Sequence, residues 1–136
     1  MKFFLFLDDD DIRHAVFAEE FEKYYKQPED YLVCHAYSLQ ETIDWLKLDR
    51  QWEILFLDHD LGMEDTMCTP GVDNRYATGS DVANYIMDNN VITKAIVLHS
   101  YNPAGVRQMT ATLQSRYPLY PVPFGLNYPS AITDLL

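Results

Sequence analysis

Residues 3–11 read Phe-Phe-Leu-Phe-Leu-Asp-Asp-Asp-Asp, and residues 54–62 read Ile-Leu-Phe-Leu-Asp-His-Asp-Leu-Gly. Both are short, wholly apolar runs that stop abruptly at carboxylates. A strand with one wet face alternates polar and apolar side chains, whereas an uninterrupted apolar run with polar ends suits a strand covered on both faces. Residues 31–37 (YLVCHAY) and 95–98 repeat the pattern. Residues 119–124 make a fifth candidate strand, whose two prolines suit a sheet edge. Between the runs, apolar residues recur at helical spacing. Val16, Phe17, Phe21, Tyr24 and Tyr25 give a first helix closed by Pro28. Leu39, Ile43 and Leu46 follow Ser38 as N-cap, Val82, Ala83, Ile86 and Met87 line a third helix, and Val106, Met109, Thr110 and Leu113 a fourth. The tail, residues 129–136, has room for a short final helix.

Strands alternating with helices predict an α/β domain in which a parallel sheet is covered by helices on both faces. Five such strands in 136 residues match the size of a flavodoxin-like doubly wound sheet, and the absence of repeats or linkers assigns residues 1–136 to a single domain. With 48% hydrophobic and 14% aromatic residues the chain can bury a core. Ten basic against 21 acidic residues leave a net charge of −11, which repels polyanions and excludes duplex nucleic acid as a partner. No apolar window approaches the roughly 18 residues of a membrane span, so no membrane role is expected. Cys34 and Cys68 show no zinc-site spacing. The expectation is a cytoplasmic protein, monomeric or a small homo-oligomer.

In a doubly wound sheet, ligands sit beyond the carboxyl ends of the strands. The sequence puts Asp8 to Asp11, then Asp58-His59-Asp60, then His99-Ser100 at those ends. Crowded carboxylates repel one another unless a hard cation such as Mg2+ shares them, which points to a cation or phosphate site where these acidic clusters converge. His35, alternating with Val33 and Tyr37, reads as structural, and His14 as a salt-linked surface residue. His59 and His99 each follow a buried strand, where both rings would face one small ligand and divide proton transfer between them. Ser100 and Asn102, with the backbone N–H groups before Gly105, form a candidate anion cradle at the start of the fourth helix. Thr78 and Gly79 open the third helix in the same way. The long stretch 61–77 reads as a functional lid, with Arg75 to clamp a phosphate and Tyr76 to stack on a base.

With these residues in view, the chain resembles response-regulator receiver domains, in which Asp8-Asp9 would be the metal-binding pair and Asp58 the phosphoacceptor. It departs from them in having His99 where a switch Thr or Ser is usual, and in lacking a lysine after the fifth strand, since residues 120–127 contain none. It is more closely similar to the divergent cyclic-phosphate-processing receiver domains at Leu7-Asp8-Asp9, Asp58-His59-Asp60-Leu61-Gly62, Thr78-Gly79, His99-Ser100, Asn102-Pro103 and Gly105. That resemblance implies a substrate class: 2',3'-cyclic phosphate RNA ends or related nucleotides. The expectation is a phosphoesterase. His59 and His99 would serve as base and acid beside Asp58, Mg2+ would sit on Asp8, Asp9 and Asp58, and Ser100, Asn102, Gly105, Thr78, Gly79 and Arg75 would bind substrate. Two other readings stand beside it: a non-catalytic signalling module phosphorylated on Asp58, and a protein that sequesters a cyclic nucleotide without cleaving it.

Overall fold

The computed structural model describes residues 1–24, 28–61, 66–67 and 75–123. In chain order the elements are β1 (Lys2–Leu7), α1 (Asp11–Tyr24), a 3-10 turn (Pro28–Asp30), β2 (Tyr31–Ala36), α2 (Leu39–Leu46) and β3 (Trp52–Leu57). Then come β4 (Thr66–Met67), β5 (Arg75–Tyr76), α3 (Gly79–Asp88), β6 (Thr93–Leu98), α4 (Pro103–Leu113) and β7 (Leu119–Pro121). The main sheet runs β2-β1-β3-β6-β7, parallel throughout. Chain order reverses between β1 and β3, the place where such sheets bind ligands.

The apolar runs are continuous because both faces are buried. Leu5, Leu7, Leu55, Leu57, Ile96 and Leu98 point to one face and pack with Leu46 of α2, Val82, Ala83 and Ile86 of α3, and Met109 and Leu113 of α4. Phe4, Phe6, Ile54, Phe56, Ala95 and Val97 point to the other and pack with Phe17 and Phe21 of α1. The second face is an aromatic stack: Phe6 lies on Phe17 with centroids 4.1 Å apart, and Phe4 meets Phe21 edge-on at 4.7 Å.

Most strand boundaries shift by one to three residues from the sequence reading. β3 begins at Trp52 and β6 at Thr93, because the part-buried Glu53 and Thr93 and the exposed Lys94 break the apolar run without breaking the ladder. β2 ends at Ala36, since Tyr37 enters the turn that lets the Ser38 hydroxyl cap α2 by accepting from the Glu41 N–H at 3.1 Å. β7 is the edge strand its prolines suggested, but it stops at Pro121. Tyr25, residue 124 and the tail lie outside the described residues. Within the presumed lid, β4 and β5 form a small antiparallel ladder; residues 62–65 and 68–74 and the side chain of Arg75 lie outside the described residues.

Thr78 closes α3 with a reciprocal cap: its hydroxyl accepts from the Ser80 N–H at 3.2 Å, and its own N–H donates to the Asp81 carboxylate at 2.8 Å. Thr78→Ala is expected to lower stability by about 1 kcal/mol, seen as a lower urea midpoint with an unchanged m-value.

Candidate functional site

Ala36, Leu7, Leu57, Leu98 and Pro121 are directly paired across the sheet, so the strands end level. The ladder continues one step further. Asp8 N–H donates to Ala36 O, Asp58 N–H to Leu7 O and His99 N–H to Leu57 O, at 3.1, 3.2 and 3.0 Å. Asp8, Asp58 and His99 therefore stand side by side, and by strand alternation they extend the Phe4, Phe6, Phe56 and Val97 face. A carboxylate oxygen of each Asp and a ring nitrogen of His99 lie within 4.8 Å of one another, and all three residues are buried.

His99 is fully enclosed, its ring stacked on Phe6 at 4.9 Å and donating from Nε2 to Asp8 Oδ2 at 3.0 Å. Burial lowers its pKa against the pull of Asp8. Burial pushes the Asp8 carboxyl up, but His99, the Asp10 N–H at 2.9 Å and Arg13 outweigh it, and its pKa falls below the ordinary value. Asp58 lacks comparable support. Burial first and the charge of Asp8 second push it up to about 7, although the His59 N–H donates to its Oδ1 at 2.8 Å.

His59 follows the opposite parity. Two residues beyond Leu57, it turns to the α3 and α4 face, where its ring lies flat on Gly105; a Cβ there would run into the ring. The N–H of Gly79 meets His59 O at 2.7 Å, and a Cβ on Gly79 would come within 2.8 Å of His59 Cα and Met109 Sδ. At both positions close approach leaves no room for a Cβ. The expectation that His59 and His99 face one ligand is thus corrected: level strand ends and different offsets send the two rings to opposite faces. His59 Nδ1 donates to Asp60 Oδ1 at 2.9 Å, which leaves the Nε2 lone pair, and among the described residues that buried nitrogen has no hydrogen-bond partner.

His14 is also corrected from a surface residue to a buried strut. Its Nε2 donates to the Asp8 carbonyl at 2.7 Å, its Nδ1 shares a proton with His35 Nδ1 at 2.7 Å, and Tyr37 stacks on it at 3.9 Å. His35 is structural, as read, with its pKa lowered by burial and by His14. The four-aspartate run divides its work. Asp8 joins the buried row and Asp9 stands at the rim, its pKa raised by burial and by Asp8. Asp10 caps α1, accepting the Ile12 N–H at 2.8 Å, and Asp11 sits in the first turn.

Above the row is a cavity of about 170 Å³ lined by Asp9, Asp10, Arg13, Asp58, Asp60, Ser100 and Tyr101. Ser100 reaches it, but its hydroxyl also accepts the Asn102 N–H at 3.0 Å, while Asn102 Oδ1 caps α4 by accepting the Gly105 N–H at 3.1 Å. Asn102 Nδ2 donates to Asp60 Oδ1 at 3.2 Å, so it braces the dyad of His59 and Asp60. Arg13 is the residue that sequence reading missed. Its guanidinium lies 3.2 Å from Asp8 Oδ2 and 4.0 Å from Asp58 Oδ2, and these carboxylates raise its pKa against the effect of burial. The available signal was a basic residue in the first turn of a helix, where the dipole disfavours one without local carboxylates. Asp8, Asp58 and His99 are the cluster whose ligand atoms come together, and the carboxylate repulsion at Asp58 suits a hard cation; Asp9 lines the cavity beside Asp58.

Residues 3–115 match the family model for the cyclic-phosphate processing receiver domain. The chain belongs to that family. No curated protein matches this receiver domain. Among solved structures, the N-terminal domain of a response regulator/sensory box/GGDEF three-domain protein from Carboxydothermus hydrogenoformans is similar with a TM-score of 0.65 at 16% identity, over 98% of this chain and 90% of that one. The signal receiver domain of a DNA-binding response regulator (merR) from Colwellia psychrerythraea 34H gives 0.60 at 15% identity, over 99% and 98%. The BeF3-activated DrrB receiver domain gives 0.60 at 15%, over 98% and 92%. These likenesses establish a receiver fold. Among the described residues, no helix is long and apolar enough to cross a membrane.

The receiver domain's pH dependence follows from these shifts. Asp58, raised to about 7, contributes stability that is present below the unfolded carboxyl pKa and lost as pH rises through 7. His35 and His99, both lowered, contribute stability present above the ordinary histidine range and lost on acidification. Asp58→Asn is expected to stabilise the fold by about 2 to 4 kcal/mol at pH 8 and by close to nothing at pH 4, measured by urea unfolding at both pH values.

Proposed function

We propose that this receiver domain hydrolyses a cyclic phosphodiester on a nucleotide or an RNA 2',3'-cyclic end. The observation that carries this reading is His59: an imidazole oriented through Nδ1 by Asp60, a carboxylate that lines the acidic cavity, with its own Nε2 buried and, among the described residues, unbonded. A buried nitrogen without a partner is costly, and such groups persist where chemistry uses them. In the reaction a water oxygen bonds to phosphorus while the ring P–O bond breaks. His59 Nε2 takes the water proton as Asp60 steadies the imidazolium that forms, and the released ribose oxygen takes a proton from solvent at the cavity mouth. Asp60 already lines the cavity, and catalytic contacts in ligand-free sites commonly tighten only when substrate arrives.

His99 then positions Asp8 and transfers no proton. Asp8, Asp9 and Asp58 would hold Mg2+, which when bound supplies charge to oppose the phosphate oxygens. Arg13 and Ser100 bind those oxygens from the protein side. The net charge of −11 supports a small ligand or single RNA end in preference to a duplex.

A signalling reading also has an observation in its favour. Asp58 is central in a row that the receiver fold builds, and Arg13 lies within 4.0 Å of its carboxylate. Against it stand the neutral fraction of Asp58 near pH 7, which is a poor nucleophile, and the absence of lysine from residues 120–127.

Phosphorus NMR decides between them, with Mg2+ or EDTA present and with 2',3'-cyclic nucleotides, 3',5'-cyclic nucleotides or acetyl phosphate as the probe. Cleavage of a cyclic phosphate is expected, reduced about 100-fold or more in His59→Ala and less in Asp60→Asn. Labelling of Asp58 by acetyl phosphate with every cyclic phosphate intact would instead support signalling. Cyclic nucleotide bound and recovered unchanged after denaturation would point to sequestration.

A further inference from the structure

The sequence reading put base stacking on Tyr76, whose side chain lies outside the described residues; among the described residues a different aromatic residue lines the cavity. Tyr101 is 59% exposed, and among the described residues it is the one large exposed apolar side chain that lines the acidic cavity. An isolated exposed tyrosine needs no explanation. This one differs in what holds it. It sits between Ser100, which is buried and lines the same cavity, and Asn102, which caps α4. The Arg13 guanidinium stands over its ring, 5.4 Å from the centroid, while the same guanidinium reaches Asp8 Oδ2 at 3.2 Å and lies 4.0 Å from Asp58. One guanidinium therefore faces both the carboxylate row and the aromatic ring, so an anion drawn to Arg13 would sit close to the Tyr101 ring.

We infer that Tyr101 is the stacking platform for the base of the substrate, and that Arg13 couples it to the phosphate position. This inference rests on the cyclic-phosphate reading and adds to it. The site would select nucleoside cyclic phosphates over base-free ones because stacking supplies affinity that the small polar cavity alone does not. Tyrosine favours no particular base, since every base offers a π face. The expected selectivity is for the presence of a base, not for its identity.

The test uses the full chain with adenosine 2',3'-cyclic phosphate and glycerol 1,2-cyclic phosphate, which share the five-membered cyclic phosphate and differ in the base. Turnover is followed by phosphorus NMR. Stacking is followed separately as quenching of the added tryptophan in Tyr101→Trp, with the wild-type signal of Trp45 and Trp52 subtracted. The wild type is expected to prefer the adenosine compound, Tyr101→Ala to reduce that preference about tenfold, the size of one base–aromatic stack, and Tyr101→Phe to retain it. Adenosine 2',3'-cyclic phosphate should quench Tyr101→Trp, and glycerol 1,2-cyclic phosphate should not. Quenching without turnover of either compound would uphold stacking and overturn the hydrolase reading. Equal turnover of both compounds by the wild type, or an undiminished preference in Tyr101→Ala, would overturn stacking and leave the hydrolase reading in place. Absence of both turnover and quenching overturns both.

Discussion

The level ends of β1, β3 and β6 are the constraint on which the rest of the structure depends. Parallel strands share evenly spaced hydrogen bonds, and here the ladder runs one residue past the last apolar pair, into Asp8, Asp58 and His99. That extra step fixes the backbone of three polar residues as firmly as the core. It gives them a common face and a common depth. Every later feature follows: the mutual repulsion of the carboxylates, the enclosed His99, and Arg13 reaching in from α1.

A row of buried ionisable groups is a poor way to stabilise a domain, because each charge loses hydration that its partners only partly replace. The molecule limits that loss by giving Asp8 several partners, His99 and Arg13 among them, while Asp58 receives little. The imbalance is informative. Two equally supported carboxylates would form a closed structural network, whereas one satisfied and one frustrated carboxylate leave a place for an incoming positive charge or proton. The surrounding aromatic stack and leucine-rich face supply the stability against which this local loss is set.

The architecture was legible because burial on both faces writes uninterrupted apolar runs, and the carboxylates ending them fixed the site's edge. Side-chain direction was not legible. His59 lies two residues past Leu57 and His99 one past Leu98, which would have separated the rings had the pairing of Leu57 with Leu98 been known. Register is a property of two strands, and neither strand's sequence states it. The role of Arg13 stayed hidden for a related reason: Asp8 follows β1 and Asp58 follows β3, and only the packing of α1 against the sheet brings one guanidinium to both. His14 was misread because its burial comes from Tyr37 and Phe6, which sit on other elements.

The contact between Gly105 and His59 has a consequence for how this site can be inherited or copied. The ring belongs to the end of one strand and its seat to the start of a distant helix, and the seat exists only because a hydrogen stands where other residues carry carbon. A histidine grafted alone onto another receiver would find its place filled. The transferable unit is the pair, so a lineage that exchanges the glycine gives up the imidazole's position even while its histidine codon stays intact.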